Sequence, residues 1–196
     1  MPSDHLTLGF DTSAAHCAAA LLSGSEVIAA RAEAMGRGQA ERLFPLIEEL
    51  LTESGIRWRD LSRIGVGTGP GNFTGIRIAV AAARGLALSL DVPVIGISSF
   101  AATRLTRPGA AVAVSAPRGQ VYLERPGDPP VLVDAAEAQG AAMPPAAVDL
   151  AIAIARAANA VAYQASDPLP PPAPLYLRAA DAAPPRDAPP EIVDDA

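Results

Sequence analysis

Few side chains in this 196-residue sequence are equipped to make or break bonds. The only histidines are His5 and His16, and Cys17 is the only cysteine. His5 stands near the N-terminus. His16 has no partner at a ligand spacing such as His-x-x-x-His, which argues against a zinc centre. A serine nucleophile would need one of these two histidines as its base, and the Gly-x-Ser-x-Gly elbow does not occur. Cys17, next to a run of alanines, reads as a small core residue, and a lone cysteine forms no intrachain disulfide. Asp11-Thr12-Ser13 closes a short apolar run. Those types suit a metal–phosphate group, and equally a polar turn in which Asp11 accepts backbone N–H groups.

The densest signal lies in residues 63–90. A short apolar run is followed by Gly67-Thr68-Gly69-Pro70-Gly71-Asn72-Phe73-Thr74-Gly75 and then a long stretch of small apolar residues. A glycine-dense turn between a strand and a helix offers backbone N–H groups to an anion. The phosphate-loop form needs a lysine after its last glycine, and the chain contains no lysine: all fifteen basic residues are arginine. The dinucleotide form, Gly-x-Gly-x-x-Gly, ends on Asn72 when begun at Gly67 and on Thr74 when begun at Gly69. Two readings stay open: an anion contact of another kind, or a tight turn that lets the helix pack close to its sheet. In the helix, Gly75, Ala79, Ala82, Ala83 and Leu86 share one face, and Ala81, Gly85 and Leu88 share another. Gly85 in mid-helix costs about 1 kcal/mol relative to alanine, so a neighbour or a partner chain is expected to use the missing side chain.

The elements that position these residues follow from periodicity. Residues 6–10, 17–22 and 27–34 read as strands, the last two joined by a Gly24-Ser25 turn. Residues 40–51 read as a helix with Leu43, Phe44, Ile47, Leu50 and Leu51 inward, Pro45 tolerated near its first turn and Gly55 closing it. Residues 94–97 form another buried strand, and Ser98 or Ser99 caps a short helix. Strand alternating with helix after an initial meander is an α/β pattern with a mixed sheet. Past Arg107-Pro108-Gly109, residues 111–114 and 120–124 read as strands and 146–161 as an alanine-rich helix entered through Pro144-Pro145. From Asp167 onward the chain is rich in proline and acid, which favours extended or disordered structure, although Leu175-Tyr176-Leu177 is apolar enough to dock. The predicted units are residues 1–106, 107–178 and an acidic tail, 179–196. The formal net charge of −6 disfavours a chain that grips nucleic acid alone. No apolar run is read as long enough for a membrane span, and no signal peptide is read at the N-terminus, which predicts a cytoplasmic protein.

Gly9-Phe10-Asp11-Thr12-Ser13, Val66-Gly67-Thr68-Gly69-Pro70-Gly71-Asn72-Phe73-Thr74-Gly75-Ile76-Arg77, Gly85-Leu86-Ala87 and Val94-Ile95-Gly96-Ile97-Ser98-Ser99 resemble, in order and spacing, the bacterial TsaB family, also called YeaZ. Pro174-Leu175-Tyr176-Leu177-Arg178 is similar to the family's C-terminal tyrosine–leucine–arginine motif. The resemblance implies an actin-like ATPase (ASKHA, ribonuclease H-like) fold of two lobes with mixed sheets flanked by helices, the second lobe reduced here. It implies a non-catalytic dimerisation subunit for the TsaD transferase, which makes N6-threonylcarbamoyladenosine at position 37 of tRNA. A TsaE-like ATPase is the further partner, a homodimer forms when TsaD is absent, and tRNA is met only through the complex. No cofactor or metal is implied beyond weak nucleotide binding. In the catalytic paralogue a His-x-Glu-Gly-His stretch follows the strand matching residues 94–97. The matching positions here are Ser99, Phe100, Ala101, Ala102 and Thr103, and hydroxyls in place of imidazoles hold a transition metal poorly.

By the same resemblance the partner interface is Gly75, Ala79, Ala82, Ala83 and Leu86, helped by Leu43 and Ile47. Arginine at Ala79 or Ala83 is then expected to block docking while the fold survives. Vestigial phosphate contacts fall on Asp11, Thr12, Ser13, Gly69, Gly71, Asn72 and Thr74. The alternative is a stand-alone ATPase or carbamoyl transferase built on Asp11 and the turn 69–74. A metallopeptidase is the third reading, opposed by the missing histidine pair. The sequence departs from the family at Gln39-Ala40-Glu41, where His-Ser-Glu is common, and at Ser115-Ala116-Pro117-Arg118-Gly119, where Asp-Ala-Arg-Arg-Gly is common.

Overall fold

The computed structural model describes residues 5–163 and 169–177. Strands β1 (Leu6–Asp11), β2 (His16–Ser23) and β3 (Glu26–Ala34) form an antiparallel meander. Helix α1 (Gln39–Glu53), strand β4 (Arg63–Gly67), helix α2 (Phe73–Leu90) and strand β5 (Val94–Ile97) follow. Helix α3 (Ser99–Thr106) leads to a second sheet of β6 (Val112–Ser115), β7 (Gln120–Glu124) and β8 (Val131–Asp134), and α4 (Ala147–Ala160) returns to the first. The first sheet has the order β3-β2-β1-β4-β5, with β4 parallel to both β1 and β5.

Both faces of that sheet are covered, so its central strands are mostly apolar rather than alternating with polar residues; the buried Thr7 in β1 is satisfied by donating to Asn159 Oδ1 at 3.2 Å. Leu8, Phe10, Cys17, Ala19, Leu21, Ile64 and Val66 point to one face. They meet Leu43, Leu46, Ile47, Leu50 and Leu51 of α1 and Ile76, Ala79, Val80 and Ala83 of α2. Ala18, Ala20 and Leu22 point to the other face and meet Ala151 and Ala155 of α4. Two strand glycines let α4 lie almost on the sheet backbone. A methyl group on Gly9 would sit 2.6 Å from the Ala155 Cβ, and one on Gly65 would sit 2.7 Å from the Ala158 Cβ. Arg63 then closes the helix: its Nη1 donates to the carbonyls of Ala158, Asn159 and Val161 at 2.7, 3.0 and 2.7 Å. Carbonyls left over at a helix end need such a donor.

The second sheet is small. Val112, Val114 and Tyr122 pack on Phe100 of α3, with Leu175 and Leu177 completing that cluster. Residues 169–177 form neither helix nor strand, and Leu175 N donates to Thr68 O at 2.8 Å, so this segment bridges the two sheets.

Several expectations need correction. Helix α4 falls within the expected second unit, 107–178, but it packs on the first sheet, whereas Leu175 and Leu177 of that unit do pack on the three-stranded sheet. That sheet is antiparallel, with one isolated parallel bridge from Val112 to Ala142, and not mixed. Strand β8 carries no alternation strong enough to announce itself and was not expected. Pro45 lies well inside α1 rather than in its first turn. Its ring faces solvent, as does that of Phe44, and Leu46 takes the inward place expected of Phe44. Helix α2 does have the length and apolarity of a membrane span, contrary to the sequence reading. Its Gly75, Ile76, Ala79, Val80 and Ala83 are nonetheless packed in the core of the first lobe. The tail 179–196 and Arg178 lie outside the described residues.

Candidate functional site

The ends of β1 and β4 bring the Asp11-Thr12-Ser13 turn against the glycine turn and the head of α2. Asp11 is fully buried. Its Oδ2 accepts from Ser13 N at 2.9 Å, from Ser13 Oγ at 2.8 Å and meets His16 Nε2 at 2.7 Å. Its Oδ1 has no hydrogen-bond partner among the described residues and lies against Gly67, where a Cβ would come within 1.8 Å of it. Thr12 Oγ1 donates to Gly75 O at 2.6 Å, and a Cβ on Gly75 would meet Thr12 O at 1.9 Å. Asn72 N donates to Ser13 O at 2.6 Å, and Asn72 Oδ1 caps α2 by accepting from Gly75 N at 2.8 Å. Gly69 O accepts from Ser99 N, Gly71 lies against Ser13 O, and Thr74 is exposed on the first turn of α2.

Of the seven residues expected around a phosphate, Asp11, Thr12, Ser13, Gly71 and Asn72 meet at this interlock of turns, Gly69 is tied to Ser99 instead, and Thr74 is exposed on α2. The turn residues that hydrogen-bond do so mostly with one another. A cleft of about 340 Å³ opens beside them, lined by Ser13, His16, Asn72, Ser99, Ser115 and Met143 among others, with no arginine in its wall. A metal nucleotide wants cationic side chains and free N–H donors. Here the donors of Ser13, Asn72 and Gly75 are taken up inside the chain, and Asp11 is turned onto His16. The residues present fit an interlock of two loops better than a phosphate cradle. The sequence offers His16 no carboxylate at a ligand spacing; Asp11, at the end of β1 five residues earlier, supplies one at hydrogen-bond distance, a contact that only the hairpin geometry reveals.

The positions matching the paralogue's histidines are also internal. Ser99 and Thr103 are buried in α3, and Thr103 Oγ1 donates to Ser99 O at 2.6 Å. Among the described residues no three of His, Cys, Asp and Glu gather as metal ligands. Burial first, and the nearby Glu33 next, push the Cys17 thiol up to about 11, so it stays protonated and unreactive.

The surface of α2 differs from expectation. Gly75, Ala79 and Ala83 are buried in this chain's own core, as are Leu43 and Ile47 of α1, and Ala82 and Leu86 are half-buried beside them. The face assigned to a partner is the face that holds α2 to its sheet. Arginine at Ala79 or Ala83 would break the monomer, so the expectation of a folded, non-docking variant is withdrawn for these sites. The opposite face is the one presented to solvent: Arg77, Ala81, Arg84, Gly85 and Leu88 are exposed, Leu88 by 88 %. A Cβ on Gly85 would meet nothing within 4 Å. Beside this stripe a groove of about 620 Å³ between α1 and α2 is walled by Phe44, Pro45, Trp58, Leu86 and Leu90. Phe44 and Trp58 approach at 6.3 Å between ring centres, and the Trp58 indole N–H donates to Glu48. The sequence reading weighed only small size along α2. Arg77 and Arg84, seven residues apart, were the signal for its outward side.

Comparison with known proteins matches residues 26–134, just over half the chain, to the family model described as TsaD: tRNA N6-adenosine threonylcarbamoyltransferase. The tRNA threonylcarbamoyladenosine biosynthesis protein TsaB of Escherichia coli (strain K12) is 36% identical over 121 residues, 59% of this chain and 52% of that protein. The protein of the same name from Bacillus subtilis (strain 168) is 38% identical over 119 residues, again 59% and 52%. The chain thus spans about half the length of the curated relatives it matches. Among solved structures, a Pseudomonas aeruginosa protein described as similar to peptidase YEAZ superposes with a TM-score of 0.58 at 31% identity, covering 66% of this chain and 67% of that one. A second structure, YeaZ from Pseudomonas aeruginosa, gives 0.54 at 31% identity, covering 67% and 65%. The α/β fold with a mixed main sheet expected from the sequence is the fold observed, and it is shared with the YeaZ structures.

Proposed function

The chain belongs to the TsaB (YeaZ) family, and from that membership we propose that it is a non-catalytic subunit that binds and activates a TsaD-like transferase in the N6-threonylcarbamoyladenosine modification of tRNA. The observation that carries this reading is the outer face of α2. It is apolar and nearly flat at Ala81 and Gly85, bears the exposed Leu88, and continues into the Phe44–Trp58–Leu86 groove. Helices approach closely where side chains are small, and an exposed apolar stripe of this kind marks an interaction surface. The interlocked loops, and the hydroxyls at Ser99 and Thr103, support a subunit that leaves the chemistry to its partner. In this reading the chain needs no cofactor and holds any nucleotide weakly. It pairs with itself when the partner is absent, meets a TsaE-like ATPase and tRNA only within the complex, and works in the cytoplasm.

Mixing with the cognate TsaD-like subunit on a size-exclusion column tests this. Leu88→Arg and Gly85→Arg are expected to elute apart from the partner while keeping the native circular dichroism spectrum. Co-elution of both variants at the wild-type ratio overturns the reading. Ala79→Arg is expected to fail earlier, by losing the fold itself.

A further inference from the structure

The head of α2 carries a three-residue cluster that the docking reading leaves unexplained. Tyr176, on the bridging segment 169–177, lies against Phe73 with ring centres 5.0 Å apart. Arg77 Nε donates to the Tyr176 hydroxyl at 2.6 Å, and the Arg77 guanidinium carbon sits 3.7 Å from the centre of the Phe73 ring. The flanking residues fix Tyr176 from below: Leu175 and Leu177 are seated in the cluster with Phe100, Val112, Val114 and Tyr122. Pro172 is buried against Gly96, where a Cβ would come within 3.1 Å of it. The planar group of Arg77 is therefore held on one flat side and one edge, and its two terminal nitrogens form no ion pair with any carboxylate among the described residues.

We propose that Arg77, oriented by Phe73 and Tyr176, receives a carboxylate of the protein that docks on α2; this rests on the docking reading above. Charge complementarity argues for it. The chain holds 21 acidic residues, yet none lies in the 18 residues of α2, whose exposed stripe carries Arg77 and Arg84. Seven helical residues separate those two by about 10 Å along the axis, so the fitting partner is an apolar helix with a carboxylate near each end of the contact. A guanidinium already held in place loses little freedom on pairing and offers two parallel N–H donors to a carboxylate. A phosphate backbone is the weaker fit: the chain's net charge is −6, and Phe73, Ala81 and Leu88 surround the arginines with apolar surface rather than further cations. A second copy is the weaker fit too, since α2 against α2 sets arginine against arginine.

The test titrates the full chain into the cognate TsaD-like subunit at several salt concentrations. Arg77→Ala is expected to weaken binding at least tenfold and to flatten its salt dependence. Tyr176→Phe, which keeps the ring and removes the hydroxyl, is expected to weaken it about threefold. Arg125→Ala, exposed in the turn after β7, is expected to change neither. Wild-type affinity and salt slope in a folded Arg77→Ala, with Leu88→Arg still blocking docking, overturns the carboxylate proposal and leaves the docking reading standing. An unaffected Leu88→Arg complex overturns both. If Arg77→Ala binds its partner normally but loses self-association, or loses tRNA from the assembled complex, the occupant is a second copy or a phosphate and the proposal falls.

Discussion

Glycine residues that look alike in the sequence do unlike things in the fold. At Gly67 the missing side chain admits the Asp11 carboxylate, and at Gly75 it admits the Thr12 carbonyl. Neither neighbour is the tip of a flexible side chain that swings away at little cost: one is a buried carboxylate held by three hydrogen-bonding groups, the other is backbone. Gly85 faces open space on a regular helix. Alanine at these positions should therefore move stability in opposite directions. Gly67→Ala and Gly75→Ala are expected to cost about 3 kcal/mol or more, because overpacking forces the backbone to shift. Gly85→Ala is expected to raise stability by about 0.5–1 kcal/mol, the ordinary gain from replacing glycine inside a helix. Urea titrations of the three variants check this. A loss at Gly85 equal to the loss at Gly75 would mean that the outer face of α2 is occupied within the monomer. The question posed by the glycine turn, what approaches its backbone, has an internal answer at these two residues: the preceding strand's polar turn.

At the scale of elements, α1 sets helical propensity against surface shape. Pro45 lies within Gln39–Glu53 and has no N–H to give the carbonyl one turn back, and its ring is exposed in the groove beside Phe44. Pro45→Ala is expected to raise the unfolding free energy by about 1–3 kcal/mol, read by thermal or urea denaturation, since proline costs about 3 kcal/mol in a helix interior. An unchanged midpoint would mean that α1 is already broken there in solution. The elements themselves were largely legible in the sequence. β1, β2, β4, β5, α1, α2 and α4 follow from apolar runs and 3.6-residue periodicity, and Ser98 caps α3 by accepting from Ala101 N at 3.1 Å. What was not legible is which side each helix turns to the sheet. Helix α2 is small and apolar on every side but that of Arg77 and Arg84, so apolar periodicity gives no direction and only that pair of arginines marks the outward side. The decision comes from Gly75 meeting Thr12 across 63 residues of sequence. The same limit hid the role of α4, whose alanines pack on Gly9 and Gly65 of strands far earlier in the chain.

At the scale of the molecule, chain order and spatial order differ. The first lobe is interrupted after α3 by the three-stranded sheet and resumed by α4, so the small sheet is an insertion resting on one helix of the larger unit. Its hold on the rest comes through Phe100 of α3, the Arg104–Glu124 salt bridge from α3 to β7 at 2.6 Å, and Leu175 and Leu177 of the segment that bridges back to Thr68. A cluster assembled from three separate stretches of chain is sensitive to losing any one of them. The double variant Leu175→Asp/Leu177→Asp removes two half-buried apolar side chains from that cluster, worth about 2–3 kcal/mol of burial. Its effect should be local, because the Leu175 and Leu177 side chains belong to the cluster with Phe100, Val112, Val114 and Tyr122 and not to the clusters on either face of the first sheet. Amide hydrogen exchange is expected to speed up about 30- to 150-fold in β6 and β7, the exchange equivalent of that loss. Amides of β1, β2 and β4 are expected to keep their protection. Equal loss of protection in both sheets would show that the lobes unfold as one unit. Protection unchanged in β6 and β7 would show that α3, through Phe100 and the Arg104–Glu124 salt bridge, anchors the second lobe without the bridging segment. Between those limits, the bridging segment is what couples the second lobe to the head of α2, and Tyr176 lies on it.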